Sequence, residues 1–142
     1  MPEPIRVVFV CVENSCRSQI AEGFARRLAP PGFEVYSAGS RASGKVDERA
    51  LASMLEAGID ISGQQSKSLA ELPSVTFTRA ITMGCGDECP YLGANTREDW
   101  GLPDPKHMDD AAFRMIRDNI RVRVERLLAE LAAQPNVSDR SD

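Results

Sequence analysis

The sequence predicts an α/β fold, an open parallel four-stranded sheet with helices on both faces. Short apolar runs rich in β-branched residues alternate along the chain with segments of helical periodicity. The first of these runs is continuously apolar, which is typical of parallel strands that are buried on both faces. The length of 142 residues favours one domain, residues 1–142, with a polar tail at about 134–142 that we expect to fray.

The first third of the chain predicts two strands with one helix between them. The run Ile5 to Val10 predicts a buried strand, and Phe33 to Ala38 alternates like a second one. Between them, apolar residues recur at helical spacing from Ile20 to Leu28, and the sequence Pro-Pro-Gly at 30–32 ends that helix. This order is that of a βαβ unit.

The rest of the chain predicts two more helices and two more strands. Asp47 is a typical helix N-cap and Gly58 a typical C-terminal stop. The helix between them has an apolar face formed by Ala50, Leu51, Met54 and Leu55. Residues 79–83 predict a third strand and residues 97–101 a short fourth one. A long amphipathic helix follows, with its apolar stripe at Phe113, Ile116, Ile120, Val124, Leu127 and Leu131.

Charge and hydropathy exclude several classes of function. The net charge of −4 and a pI near 5.1 provide no basic surface for a nucleic acid. The apolar run near the N-terminus is too short to span a membrane and lacks the layout of a signal peptide. We therefore expect a cytoplasmic monomer that binds neither nucleic acid nor membrane.

Four cysteines occur in two pairs, Cys11 with Cys16 and Cys85 with Cys89. Catalysis, redox chemistry or metal binding are the usual uses of cysteines in a cytosolic chain. The spacings C-x4-C and C-x3-C do not match the usual zinc ligands, so we expect no metal. Cys11 and Cys85 each follow a predicted strand directly. In an open α/β sheet this places both at the carboxyl edge of the strands, where such folds bind ligands.

The segment from Cys11 to Ser18 lies between a strand and a helix N-terminus. Successive backbone N–H groups and the helix dipole make such a turn a cradle for a tetrahedral oxyanion. Arg17 can hold two oxyanion oxygens through its planar fork. The dipole, Arg17 and the Ser18 hydroxyl favour the thiolate form of Cys11, which makes it a candidate nucleophile. The alternative is an inert cysteine at a strand end beside a surface arginine.

Residues 10–26, VCVENSCRSQIAEGFAR, resemble the active-site stretch of arsenate reductases in the low-molecular-weight tyrosine phosphatase superfamily. The motifs YSAGS (36–40), GIDIS (58–62) and LPDP (102–105) extend the resemblance over most of the chain. The resemblance implies a low-molecular-weight tyrosine phosphatase-like fold and arsenate as the substrate. Gln19 favours the reductases, because the phosphatases usually carry proline at that position.

The resemblance also implies roles for particular residues. Cys11 is the nucleophile, Arg17 the oxyanion clamp and Ser18 a stabiliser of the thiolate, while Asn14 braces the loop. Asp104 is the general acid, although a Pro-Asp-Pro sequence also forms a turn without any catalytic role. The oxyanion-binding loop consists of Val12, Glu13, Asn14, Ser15, Cys16 and Arg17.

Cys85 and Cys89 distinguish a reductase from a phosphatase. By resemblance, Cys85 attacks the Cys11–arsenic adduct to form a Cys11–Cys85 disulfide, and Cys89 then moves the disulfide to Cys85–Cys89 for reduction by thioredoxin. A low-molecular-weight thiol such as mycothiol, with a glutaredoxin-like protein, is the alternative reductant. Two free surface cysteines or half of a zinc site are the other interpretations of this pair. A tyrosine phosphatase and a non-catalytic oxyanion-binding or redox-sensing module remain the alternative functions.

Some members of the superfamily bind potassium beside the loop, at positions that match Asn14, Glu22 and Ser37 together with an aspartate. Lys67 stands at the aspartate's position, and its ammonium can replace the cation beside Glu22. We therefore expect no potassium requirement. Cys16 and Trp100 are expected to pack in the interior and His107 to lie on the surface.

Overall fold

The computed structural model describes residues 3–84 and 93–133. Within these ranges the chain forms four strands and three α-helices, in agreement with the predicted open parallel sheet. The strands are β1 Ile5–Cys11, β2 Phe33–Gly39, β3 Phe77–Thr82 and β4 Ala94–Asp99. The helices are α1 Arg17–Leu28, α2 Glu48–Glu56 and α3 Asp110–Ala133. The predicted fraying of residues 134–142 lies outside the described residues.

The sheet has the strand order β2-β1-β3-β4, and every neighbouring pair is parallel. β1 is a central strand, and its apolar residues Val7 to Val10 are completely buried. The register places Cys11 opposite Gly39 at the end of β2, and Val10 opposite Thr82 at the end of β3. The carboxyl ends of the strands therefore meet at one edge, and Cys11 lies in the middle of it.

Alternation along β1 divides the core between the two faces of the sheet. Val7 and Phe9 belong to the larger cluster, which includes buried residues of α1, α2 and α3. Val8 and Val10 belong to a smaller cluster on the opposite face, which is covered by a one-turn 3₁₀ helix at Leu69–Glu71 and the residues after it. Helical segments thus cover both faces, although the three α-helices all pack on one.

α2 has the predicted N-cap. The Asp47 side chain accepts hydrogen bonds from the backbone N–H groups of Arg49 and Ala50, and Gly58 has a positive φ of 88° just beyond the helix. Of the four apolar residues assigned to one face of α2, Leu55 is 65 % exposed. Met54 occupies the buried face, and a residue one position later is rotated by about 100° around the helix axis.

β4 begins earlier than predicted and ends at Asp99 rather than at residue 101. Its sequence, Ala-Asn-Thr-Arg-Glu-Asp, is mostly polar and exposed because the strand forms an edge of the sheet, so hydropathy does not reveal it. Trp100 lies beyond the strand, buried against Phe9 with ring centroids 5.9 Å apart. No helix in the described ranges is long and apolar enough to cross a membrane.

Candidate active site

The loop from Cys11 to Cys16 connects the end of β1 to the first residue of α1. Cys11 is 4 % exposed. Its Sγ lies 2.9 Å from the Ser18 hydroxyl and accepts a hydrogen bond of 3.2 Å from the backbone N–H of Asn14. The Asn14 Nδ2 group donates to the same hydroxyl at 2.8 Å. Because an amide nitrogen only donates, the Ser18 hydroxyl accepts from Asn14 and keeps its own proton available to donate to a Cys11 thiolate.

Asn14 holds the loop in an unusual backbone conformation. It is the only non-glycine residue in the described ranges with a positive φ, 51°. Asparagine tolerates this region better than most residues because its short polar side chain forms local hydrogen bonds. Besides donating to Ser18, its side chain accepts a hydrogen bond of 2.7 Å from the backbone N–H of Lys67. Asn14 thus joins the loop to α1 and to the chain near residue 67, which is the position expected of a loop brace.

Gln19, the position at which related phosphatases usually carry proline, adds a second brace to the loop. Gln19 is completely buried in the first turn of α1. Its Nε2 group donates to the carbonyl of Asn14 at 3.0 Å and to that of Gln65 at 2.9 Å. Its own Oε1 accepts from Gln64 Nε2 at 2.8 Å. A polar residue among the buried positions of α1 is the signal that could have identified it.

Arg17 extends away from the loop to the ends of two other strands. Its Nη1 group donates to the carbonyl of Met83 at 2.5 Å, just after β3, and to that of Leu102 at 2.6 Å, after β4. These two bonds use one of the three guanidinium nitrogens. The guanidinium plane is therefore fixed by two backbone carbonyls, a feature that the sequence does not reveal.

The Asp99 side chain also binds both of these segments, the one that follows β3 and the one that follows β4. Its Oδ1 atom accepts from Gly84 N at 2.8 Å, from Thr82 Oγ1 at 3.0 Å and from Gly101 N at 3.2 Å. Desolvation alone would raise the pKa of Asp99, but the bonds from Gly101, Thr82 and Gly84 outweigh it and lower the pKa below its usual value. No motif in the sequence marks this residue.

Asp104 is exposed and begins the one-turn 3₁₀ helix Pro105–His107, where its carboxylate accepts from the backbone N–H of Lys106 at 3.0 Å. Lys106 in turn forms an ion pair of 3.0 Å with Glu13 of the loop between β1 and α1. The hydrogen bond and the charge of Glu13 raise the pKa of Lys106. This pair places the segment that carries the candidate general acid beside the loop. His107 is exposed, as predicted.

Glu22 is buried, with 2 % of its side chain exposed, and it is surrounded by donors. Arg26 Nε forms an ion pair with Oε2 at 2.7 Å, and Lys67 Nζ lies 3.8 Å from Oε1. The Ser37 hydroxyl donates to the same Oε1 atom. Of the positions predicted for a cation site, Ser37 and Lys67 therefore lie beside Glu22, whereas Asn14 contacts the backbone N–H of Lys67. Arg26 was missed, although its spacing of four residues from Glu22 is a signal for such a pair.

Cys16 is buried in the larger core cluster. Burial raises the pKa of its thiol far above the usual value, and the charges of Asp47 and Asp104 add to the effect. Cys16 is thus a neutral packing residue at neutral pH. Cys85 and Cys89, the predicted resolving cysteines, lie outside the described residues. Across residues 3–84 and 93–133, no group of three or more His, Cys, Asp or Glu side chains could hold a metal ion.

Comparisons with known proteins agree with this geometry. Residues 6–137 match the family model of low molecular weight phosphotyrosine protein phosphatases. The glutaredoxin arsenate reductase of Synechocystis sp. is 40 % identical over 130 residues, which cover 89 % of this chain and 98 % of that protein. An arsenate reductase structure in the phosphate-binding state superposes with a TM-score of 0.81 at 40 % identity, over 89 % of this chain and 98 % of the other.

A thioredoxin-dependent arsenate reductase from Corynebacterium glutamicum is also similar, with a TM-score of 0.72 and 33 % identity. That match covers 92 % of this chain and 63 % of the other. The family model and the relative of similar length both extend over most of the chain, and the family model includes the loop at Cys11. The chain belongs to the low-molecular-weight phosphotyrosine protein phosphatase family.

Proposed function

We propose that this protein reduces arsenate to arsenite, with Cys11 as the nucleophile and thiols as the source of electrons. The observation that carries the proposal is the buried Cys11 sulfur, which has the Ser18 hydroxyl and the Asn14 amide within 3.2 Å. Both groups stabilise negative charge on sulfur, at the N-terminus of α1 where the helix dipole favours an anion. Relatives of similar length bear the name arsenate reductase, which favours arsenate as the oxyanion.

In the first step, the Cys11 thiolate attacks arsenic and forms an S–As bond. Asp104 protonates the departing oxygen, which leaves as water, while Arg17 and the loop amides bind the remaining oxygens. Arg17 has two guanidinium nitrogens beyond the one that holds Met83 and Leu102. This step is shared with phosphate-ester hydrolysis, because phosphate and arsenate have nearly the same shape and charge. A weak phosphatase activity is therefore expected.

The second step transfers electrons. The Cys85 thiolate attacks Cys11 Sγ, an S–S bond forms and the S–As bond breaks with its electron pair remaining on arsenic. Arsenic(V) thus becomes arsenic(III) and leaves as arsenite. Cys89 then attacks Cys85 and releases the Cys11 thiolate. Support for this relay comes from the sequence resemblance and from Gly84, because a glycine immediately before Cys85 lowers the cost of a backbone rearrangement there.

We propose thioredoxin as the donor of the two electrons that reduce the Cys85–Cys89 disulfide. The names of the relatives differ on this point, since one is a glutaredoxin arsenate reductase and another a thioredoxin-dependent enzyme. An intramolecular disulfide is the kind of substrate that the dithiol of thioredoxin reduces by exchange. A mixed disulfide with glutathione or mycothiol, resolved by a glutaredoxin-like protein, is the alternative to be tested.

We also propose that the enzyme needs no potassium. The charge of Glu22 is balanced by Arg26 at 2.7 Å and by Lys67 at 3.8 Å. A buried carboxylate with two cationic partners has little attraction left for a third cation. Asn14 and Ser37, the other expected ligands, are already engaged with Lys67 N and with Glu22.

The proposal is tested by arsenate-dependent oxidation of NADPH with thioredoxin and thioredoxin reductase, in wild type, Cys85→Ser and Cys89→Ser. Wild type is expected to turn over, Cys85→Ser to release no arsenite, and Cys89→Ser to release at most one equivalent. Hydrolysis of an aryl phosphate is the matched control, because it requires Cys11 but neither resolving cysteine. Both variants should retain it.

Other outcomes would change the assignment. Full turnover by Cys89→Ser would exclude the third thiol from the relay. Turnover only with glutathione or mycothiol and a glutaredoxin would replace thioredoxin as the reductant. Aryl phosphate hydrolysis without arsenate reduction under any of these conditions would leave a phosphatase, the function that the family's description suggests. Binding of the anion with no turnover of either kind would leave an oxyanion-binding module.

A further inference from the structure

Arg17 and Asp99, which carry opposite charges, both bind the peptide unit between Met83 and Gly84. The carbonyl of Met83 accepts from Arg17 Nη1 at 2.5 Å, and the N–H of Gly84, in the same peptide plane, donates to Asp99 Oδ1 at 2.8 Å. A peptide unit is planar, so fixing both its C=O and its N–H fixes its rotation about the chain. Arg17 and Asp99 thus act on one rigid group from opposite sides.

The same two side chains also hold the connection between β4 and Asp104. Arg17 Nη1 donates to the carbonyl of Leu102 at 2.6 Å, and Asp99 Oδ1 accepts from Gly101 N at 3.2 Å. The two connections that follow β3 and β4 are therefore joined to each other through one arginine and one aspartate. The Thr82 hydroxyl, 3.0 Å from Asp99 Oδ1, fixes the carboxylate at the end of β3.

The orientation of the Met83–Gly84 peptide unit depends on these hydrogen bonds because the unit adjoins a glycine. Gly84 has a φ of 98°, and a Cβ there would lie 3.0 Å from the Leu102 carbonyl oxygen, so a larger residue is strained at this position. A glycine is required by the close approach, but it also lets the Met83–Gly84 peptide rotate at low cost. If that peptide rotates, its carbonyl no longer faces Arg17, and the guanidinium loses Met83 as an acceptor.

We propose that Asp99 is a positioning residue for oxyanion binding: it orients the Met83–Gly84 peptide, whose carbonyl in turn fixes the guanidinium plane of Arg17. Asp99 itself does not contact the anion in this proposal. The inference rests on the proposed role of Arg17 as the oxyanion clamp, and not on the thiol relay. It extends that role to a residue at the end of β4, 82 positions away in the sequence.

The test measures binding of inorganic phosphate by titration calorimetry in wild type, Asp99→Ala, Asp99→Asn and Asp60→Ala. Asp99→Ala should weaken phosphate binding about tenfold, the scale of one hydrogen bond to a charged group. Asp99→Asn keeps one carbonyl oxygen in place and should recover part of that loss. Asp60→Ala is the matched control, because Asp60 also accepts a backbone N–H, that of Ser62 at 2.9 Å, and should leave the affinity unchanged.

Thermal unfolding of the same variants separates positioning from stability, because the affinity loss should exceed what any change in unfolding temperature accounts for. Wild-type affinity in Asp99→Ala would overturn the proposal, and so would equal losses in Asp99→Ala and Asp60→Ala. If Asp99→Ala does not fold, wild-type affinity in Asp99→Asn overturns it. Phosphate binding requires no electron transfer, so the result is independent of whether arsenate is reduced.

Discussion

Gly39 offers a sharp test of how closely the oxyanion loop is packed. It is the last residue of β2 and lies opposite Cys11 in the parallel register. A Cβ built on Gly39 would lie 2.5 Å from the carbonyl oxygen of Val12, 2.9 Å from Asn14 N and 3.0 Å from the Cys11 carbonyl oxygen. Gly39 does not have a positive φ, so the substitution Gly39→Ala introduces a steric conflict without backbone strain.

The size of the conflict gives the expected effect. Ordinary van der Waals contact begins near 3.4 Å, so the Val12 carbonyl or the strand must move by about 0.9 Å. A displacement of about 1 Å in a catalytic group can cost on the order of 10²-fold in rate. Overpacking of a closely packed site also costs about 1–3 kcal/mol of unfolding free energy. We therefore expect Gly39→Ala to lower kcat/KM on the order of 10²-fold. We expect it to lower the free energy of unfolding by about 1–3 kcal/mol.

The assay compares kcat/KM for arsenate, phosphate affinity and urea unfolding in Gly39→Ala and Gly63→Ala. Gly63 is the matched control, because it also lacks a positive φ and a Cβ there meets no atom within 4 Å. Its variant should resemble wild type in activity and binding. Wild-type kcat/KM and phosphate affinity in Gly39→Ala would show that the loop is not held as closely as the structure indicates, and would refute the reasoning.

Three further perturbations follow from single side chains. Replacing K⁺ by choline at constant ionic strength should leave wild-type kcat/KM unchanged, whereas Lys67→Met should weaken phosphate affinity because Glu22 loses one cationic partner. Bonds from Arg114 and Arg117 lower the pKa of Glu56 to about 2, so its stabilising effect is complete above its ordinary pKa and is lost as the pH falls towards 2. The difference in unfolding temperature between wild type and Glu56→Gln should accordingly shrink between pH 6 and pH 3. Asp47→Ala should cost about 1 kcal/mol in urea unfolding, and Asp47→Ser, which retains a cap, should cost less.

Features whose causes are local in sequence were predictable. β1 follows from a continuous apolar run, the α2 N-cap from Asp47, and the loop from its position between a strand and a helix. These depend on periodicity and on capping groups within a few residues. The contact of Glu22 with Lys67 could not be predicted from local patterns, because these residues are far apart in the sequence. It was inferred only through resemblance to the cation site of related proteins.

Features that depend on contacts between distant segments were not predictable from one sequence. Arg17 was expected to face an anion, yet its Nη1 group is bound to carbonyls 66 and 85 residues away. Backbone carbonyls carry no residue-type signal, so nothing in the sequence marks Met83 or Leu102 as acceptors. Asp99 was overlooked for the same reason, since two of its three donors are backbone N–H groups. The exposed Leu55 shows the converse, because apolar character alone does not fix the buried face of a short helix.

The hydrogen bonds of the loop from Cys11 to Cys16 imply that its conformation depends on contacts with the rest of the domain and not on its own sequence alone. Asn14 is held by Lys67 N, the Ser43 N–H donates to Glu13 O, and the Asp47 N–H donates to Ser15 O. These partners come from the chain between β2 and β3, so the loop amides are aligned only once the sheet has formed. Donors aligned in advance need no reorganisation when charge develops on the bound anion. A peptide containing only residues 11–18 should therefore bind phosphate far more weakly than the domain does. The free peptide loses conformational entropy when it becomes ordered on binding, whereas the loop in the folded domain is already ordered.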